Sequence, residues 1–209
     1  KTKLLCLENT QNGKVLPLDY LERAGQFTKE KNLRLHLDGA RLFHAVVKQG
    51  TTVRQITDHF DSVSICLSKG LGAPVGSILC GSKDFIKDAR RWRKMTGGGM
   101  RQAGILAAAG LYALENNIER LALDHEHAAI LTGALSKIPA IQVERNEAQT
   151  NMVFFSTEES TALKLAEFLG KNDILISGGK TTRLVTHLDI SREDVDTIIE
   201  KTTAFFNND

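Results

Sequence analysis

Two short alternating runs, each leading to a charged residue, constrain this chain most. Leu33-Arg34-Leu35-His36-Leu37-Asp38 alternates apolar and polar residues, the period of a strand with one covered face, and ends on a carboxylate. Ser62-Val63-Ser64-Ile65-Cys66-Leu67 repeats the pattern and hands over, after Ser68, to a lysine. Between them Leu42-Phe43-His44-Ala45-Val46-Val47 opens an apolar helical stretch. Strand, helix and strand of these lengths make a crossover, and a crossover joins parallel strands. Asp38 and Lys69 then leave the same C-terminal edge of one sheet, where open α/β folds place their ligands.

Lys69 opens the turn Gly70-Leu71-Gly72-Ala73-Pro74-Val75-Gly76. Glycine lets backbone or ligand approach closely. Partial desolvation at a strand end disfavours the charged amine and frees it as a nucleophile, which is the chemistry of a Schiff-base lysine. The turn is one residue too long for a dinucleotide fingerprint, and Gly179-Lys180-Thr181 lacks the earlier glycine of a P-loop, since Ile174 stands there. An amine and a carboxylate in one cleft fit pyridoxal phosphate. The lysine holds the cofactor, and the carboxylate keeps its pyridine nitrogen protonated. Arg41, one helical turn from Asp38, suits the ring oxygen or a substrate carboxylate. The alternative role for Asp38 is a helix N-cap.

His36-Leu37-Asp38-Gly39-Ala40-Arg41, Ser68 through Ser77, Gly97-Gly98-Gly99-Met100-Arg101-Gln102 and Arg183-Leu184-Val185-Thr186-His187-Leu188-Asp189, taken in order, resemble the low-specificity L-threonine aldolases, which are fold-type-I pyridoxal-phosphate enzymes. The resemblance runs the length of the chain. It implies an α/β fold with a mostly parallel sheet and flanking helices, plus a small C-terminal α+β domain. It makes Lys69 the lysine that carries the cofactor and Asp38 the partner of the pyridine nitrogen. Arg41 falls near the ring hydroxyl and the substrate carboxylate, and Arg183 becomes the main carboxylate clamp. Lys94 and Arg101 resemble the basic residues that approach the cofactor phosphate; the alternative is that Arg90-Arg91-Trp92-Arg93-Lys94 is a solvated charge run.

The implied reaction cleaves L-threonine, L-allo-threonine and related β-hydroxy-α-amino acids to glycine and an aldehyde, in threonine catabolism and glycine biosynthesis. The implied setting is a cytoplasmic homo-oligomer, dimer or tetramer, whose partner is a small amino acid. The same residues serve β-elimination or amino-group transfer equally well, and a third reading is a catalytically incomplete piece acting in folding or assembly. The first methionine is Met95 and the opening run reads as an interior strand, so a preceding stretch of the cofactor domain is expected.

Strands are expected at 3–7, 33–38, 62–68 and 76–80, with helices near 18–30 and 41–58, an alternation that predicts a parallel sheet. Helices follow over 82–95, 102–115 and 118–137, where Pro139 is a stop signal. The division is placed there: 1–138 as the C-terminal part of the large cofactor domain, 139–209 as the small domain. Beyond it, strands are expected at 141–144, 152–155, 174–176 and 182–187, with helices at 161–169 and 192–206. Ser191 and Asp194 fit a helix cap. Asn151 reads as a turn residue rather than a substrate contact. No run approaches the roughly twenty apolar residues of a membrane span. The net charge of +2 carries no argument about nucleic acid, and neither nucleic acid nor membrane is expected as a partner. Cys6, Cys66 and Cys80 sit in strand-like apolar runs and read as reduced, buried thiols. No Cys/His spacing suits a metal.

Overall fold

The computed structural model describes residues 1–144 and 148–207. Its contacts divide the chain into two compact units, Lys1–Leu121 and Ala122–Asp209.

The first unit is built on a four-stranded sheet of order β1-β2-β3-β4, from β1 (Leu4–Glu8), β2 (Arg34–Asp38), β3 (Ser62–Cys66) and β4 (Ser77–Gly81). The first three strands are parallel, with Glu8 opposite Asp38 and Asp38 opposite Ser64. The alternating pattern sends Leu35, Leu37 and Val63 into the core. There Leu37 and Val63 pack in one cluster with Leu21 of α1 (Leu18–Glu30), with Leu42 and Ala45 of α2 (Leu42–Gln49) and with Ile56 of α3 (Val53–Thr57). Full burial of each such side chain contributes about 1.5–3 kcal/mol.

The helical stretch expected over 41–58 is two helices. Gly50, at φ 58°, ends α2 in the left-handed region, and Thr52 with Gln55 forms a capping box that starts α3. The sheet also differs from the parallel one expected, because β4 runs antiparallel to β3. The connection from Leu67 to Gly76 holds no helix that would carry the chain back across the sheet, so the strand returns as a hairpin does.

Beyond β4 come α4 (Lys83–Met95), capped by Ser82, and α5 (Gly104–Asn116). No residue of α4 is buried, and every residue of β4 is exposed. On α5 Ile105, Leu111 and Tyr112 lie open. The cysteines correct the sequence expectation: Cys6 and Cys80 are exposed and Cys66 is half-buried. Cys6 and Cys66 carry even numbers in strands whose odd-numbered leucines and valine are the more covered, and Cys80 lies in β4, where every residue is exposed.

The second unit holds an antiparallel sheet, β5 (Gln142–Val143), β6 (Met152–Ser156) and β7 (Thr181–Val185), with α7 (Glu159–Gly170) and α8 (Arg192–Asn207). Helix α6 (Leu121–Leu135) contributes Ala128, Leu131 and Leu135 to this unit's core, beside Phe155, Leu165, Leu169 and Val195. The contacts divide the chain after Leu121, the first residue of α6, whereas Pro139 lies beyond the end of that helix. The run 174–176, expected as a strand, forms none. Ile174 and Ile176 pack on the core while Leu175 is 90% exposed. The cap expected at 191 is present: Asp194 N–H donates to Ser191 Oγ at 3.1 Å, and Ser191 N–H donates to Asp194 Oδ2 at 2.8 Å. The backbone and hydroxyl of Ser191 hold the Asp194 carboxyl below its ordinary range. Asn151 is buried and donates through Nδ2 to the Thr186 carbonyl at 2.9 Å, tying β6 to the end of β7.

Candidate functional site

The C-terminal edge of the first sheet carries two of the residues singled out in the sequence, Asp38 and Lys69. Asp38 is the last residue of β2. Its Oδ1 accepts the Ala40 backbone N–H at 3.0 Å, and the carboxylate makes no other hydrogen bond or ion pair among the described residues. This local bond shapes the turn into α2 but does not cap it, because the N-cap position belongs to Arg41. The turn is pressed onto β3: Gly39 N–H donates to the Ser64 carbonyl at 2.7 Å, and a Cβ at Gly39 would meet that oxygen at 2.9 Å. On the other flank Asn9 N–H donates to the Asp38 carbonyl at 3.0 Å. The aspartate is thus fixed at both its backbone and one oxygen, and its second oxygen is left for another donor.

Lys69 stands just beyond β3 in a loop closed on itself. Leu67 N–H donates to Gly76 O at 2.9 Å, Ala73 N–H to Leu67 O at 3.0 Å, and Gly72 N–H to Lys69 O at 2.8 Å. Leu67, Leu71 and Ala73 anchor the loop in a cluster with Phe43, Ala113 and Leu121. From the segment after α5, Asn117 donates to the Leu71 carbonyl at 2.7 Å and Arg120 to the Gly70 carbonyl at 3.5 Å. The frame is rigid, yet the Lys69 side chain is exposed and its amine makes no hydrogen bond or ion pair among the described residues. Sequence reading located the lysine but not Asn117 or Arg120, which hold its loop from outside the motif.

Lys94 and Arg101 flank the Gly97–Gly99 loop. Lys94 Nζ lies 3.4 Å from the Gly99 carbonyl, Arg101 is exposed, and neither pairs with Asp38. In the second unit, Arg183 projects from the edge strand β7 with no hydrogen bond or ion pair among the described residues. It lines a cleft of about 880 Å³ together with Val185, His187, Ile176 and Ile190. His187 Nδ1 faces Asp189, lying 3.3 Å from its backbone N–H and 3.5 Å from its Oδ2. An unpaired guanidinium in a partly apolar cleft suits a carboxylate. No group of three or more potential metal ligands occurs among the described residues.

A mostly parallel sheet with flanking helices, followed by a small antiparallel unit, is the architecture of the fold-type-I α/β class. The chain belongs to the beta-eliminating lyase family, whose profile matches residues 1–158. It is 54% identical over 205 residues to the low specificity L-threonine aldolase of Escherichia coli strain K12, covering 98% of this chain and 61% of that protein. It is 44% identical over 202 residues to low-specificity L-threonine aldolase 1 of Arabidopsis thaliana, covering 93% and 56%. The chain therefore spans about three fifths of these relatives' length. Among solved structures, Leishmania major threonine aldolase matches with a TM-score of 0.82 at 25% identity, covering 98% of this chain and 61% of that one. Sphingomonas wittichii serine palmitoyltransferase matches with a TM-score of 0.76 at 16% identity over 99% and 55%, a likeness of fold alone.

Proposed function

We propose that this chain forms part of a pyridoxal-phosphate-dependent lyase that cleaves L-threonine, L-allo-threonine and related β-hydroxy-α-amino acids to glycine and an aldehyde. The observation that carries the reading is the pair of unpartnered groups, the Lys69 amine and the second Asp38 oxygen, held by rigid backbone at neighbouring parallel strand ends. This donor set fits the cofactor: an amine for its aldehyde and a carboxylate for its pyridine nitrogen. Bound pyridoxal phosphate supplies an electron sink for the electron pair left at the substrate's Cα. Lys69 would attach it, Asp38 would hold the proton on the ring nitrogen, and Arg41 would meet the ring hydroxyl. Lys94 and Arg101 are assigned to its phosphate.

The protein's remaining task is orientation. Arg183 would hold the substrate carboxylate, a role for which a planar guanidinium suits bidentate pairing and by which it would orient the bond to be broken. Overall, a proton leaves the β-hydroxyl, the Cα–Cβ bond breaks, and Cα takes up a proton. We further assign the protein to the cytoplasm as a homo-oligomer, dimer or tetramer, in threonine catabolism and glycine formation. The oligomer is supported by the exposed Ile105, Leu111 and Tyr112 of α5.

A second reading, β-elimination, is favoured by the family's own description. Product analysis on the full chain separates the two. Glycine and acetaldehyde from L-threonine support the aldolase. A 2-keto acid with ammonia supports elimination, and a keto acid with aminated cofactor supports transfer. Borohydride reduction and peptide mapping should place the pyridoxyl label on Lys69; label on Lys83, Lys94 or Lys180 overturns the site.

A further inference from the structure

We propose that His44 is a positioning residue for Lys69, its ring forming the floor on which the lysine's loop rests. The inference rests on the reading of Lys69 as the cofactor lysine. His44 is an imidazole in a helix whose buried residues are otherwise Leu42, Phe43 and Ala45, and it is only 2% exposed. A side chain that costly to bury requires a use.

The contact lies at Gly70. A Cβ placed there would fall 2.3 Å from His44 Nε2, 3.0 Å from Cε1 and 2.8 Å from Leu121 Cδ2. Gly70 is absent from the residues with positive φ, unlike Gly72 and Gly76 in the same loop. Its backbone does not require glycine; the ring beneath it does. The imidazole therefore touches the residue next to Lys69 in the chain and sets how deep the loop sits.

The same ring belongs to the first turn of α2, where His44 N–H donates to the Arg41 carbonyl at 3.0 Å. That turn follows directly from the Asp38–Ala40 hydrogen bond. One rigid turn thus joins the carboxylate's turn to the lysine's floor, and it fixes the amine relative to the carboxylate. A cofactor gripped at both points tolerates little change in that relation, since a misplacement of about 1 Å costs roughly 10²-fold in rate.

A size-swap cycle tests this on the full chain: His44→Ala, Gly70→Ala and the double variant. The readouts are the dissociation constant for pyridoxal phosphate and the midpoint of the pH titration of the bound cofactor's visible band. Gly70→Ala drives the loop off the ring and should weaken cofactor binding about tenfold and move the midpoint by about half a unit. His44→Ala removes the floor and should move the midpoint by a similar amount. In the double variant the new methyl occupies the space left by the ring, so both readouts should return to within about threefold of wild type.

If the two single effects multiply in the double variant, or if His44→Ala lowers only the melting temperature and leaves the midpoint in place, the positioning role is overturned. If Gly70→Ala does not fold, the His44→Ala midpoint alone decides. A wild-type chain with no visible band, or with its label elsewhere than Lys69, sinks the lyase reading first and this one with it. A labelled Lys69 with an additive cycle sinks only the role of His44.

Discussion

The two edges of the first sheet carry the same kinds of side chain and treat them in opposite ways. At the N-terminal edge, Asp61 is saturated: its Oδ1 meets Arg34 at 2.7 Å and its Oδ2 accepts the Leu35 backbone N–H at 2.8 Å. At the C-terminal edge, Asp38 keeps one oxygen without a partner and Lys69 keeps its whole amine. Both edges are well ordered by backbone hydrogen bonds, so looseness does not explain the difference. A charge that completes its own bonds inside the fold contributes stability; one held in place without a partner is kept for something that arrives from outside. Removal of groups from the two edges should therefore separate activity from stability.

The largest effect is expected at Lys69. Lys69→Ala should lower kcat/KM by roughly four decades, about 5.4 kcal/mol at 1.36 kcal/mol per decade. The stability of the cofactor-free protein should move by no more than about 0.5 kcal/mol, as for a surface substitution. Steady-state kinetics and denaturant titration without added cofactor check both halves; a comparable loss of stability would mean that Lys69 supports its loop.

Asp38→Asn comes next. An amide keeps the acceptor for the Ala40 N–H but cannot hold a proton on a pyridine nitrogen, so cofactor should still bind while turnover drops roughly 10³-fold, about 4 kcal/mol. Near-wild-type turnover in that variant would reduce Asp38 to a turn residue like any other. Arg183→Lys extends the contrast to the second unit. Lysine cannot reproduce the guanidinium fork, and a loosely held carboxylate lets the scissile bond drift. KM should rise and kcat should fall, for about 10² in kcat/KM, or 2.7 kcal/mol. A change under about threefold would hand the carboxylate to Arg41.

Periodicity made the inward-facing leucines of β2, the span of α1 and the Ser82 start of α4 readable, because these follow from local pattern and capping. Direction of β4 was readable too, from the lack of a helix between Leu67 and Gly76, but the alternation of elements upstream argued for a parallel strand. What sequence could not show was which residues meet at a distance. Ile174–Ile176 has strand composition without a paired neighbour. Pro139 ends a helix without ending a unit, because membership of α6 in a core is decided by Ala128, Leu131 and Leu135 meeting Leu165 and Val195. Likewise Lys69 and Asp38 announced themselves through their motifs. His44 did not, since its meaning lies in a glycine on another element, although a single imidazole in the apolar run after Arg41 was the available signal.

The smallest effect, and the sharpest check on the saturated edge, is the pH dependence of Asp61→Asn. Burial by itself would raise the Asp61 carboxyl, but the Leu35 N–H, the hydrogen bond and charge of Arg34, and the charge of Lys29 together hold it below the ordinary range. A carboxyl lowered in the fold stabilises it above its unfolded pKa, about 3.9, and that contribution is lost as the pH falls through the folded value. Charged hydrogen bonds contribute about 1.5–3 kcal/mol when sheltered, but Asp61 is 40% exposed and Arg34 79%, so solvent screening reduces the expected loss to about 1 kcal/mol at pH 7. The difference between wild type and Asp61→Asn should shrink as the pH falls below about 4 and vanish once the folded carboxyl is protonated, where both side chains are neutral. It should also shrink in 1 M salt, where the screening length is about 3 Å. Activity at pH 7, measured on the folded fraction, should be unchanged. Denaturant titrations of the cofactor-free pair across this range decide the point. A deficit that does not shrink at all as the pH falls below about 4 would mean that the amide disturbs the Leu35 contact sterically, and that the saturated edge owes its stability to shape instead of charge.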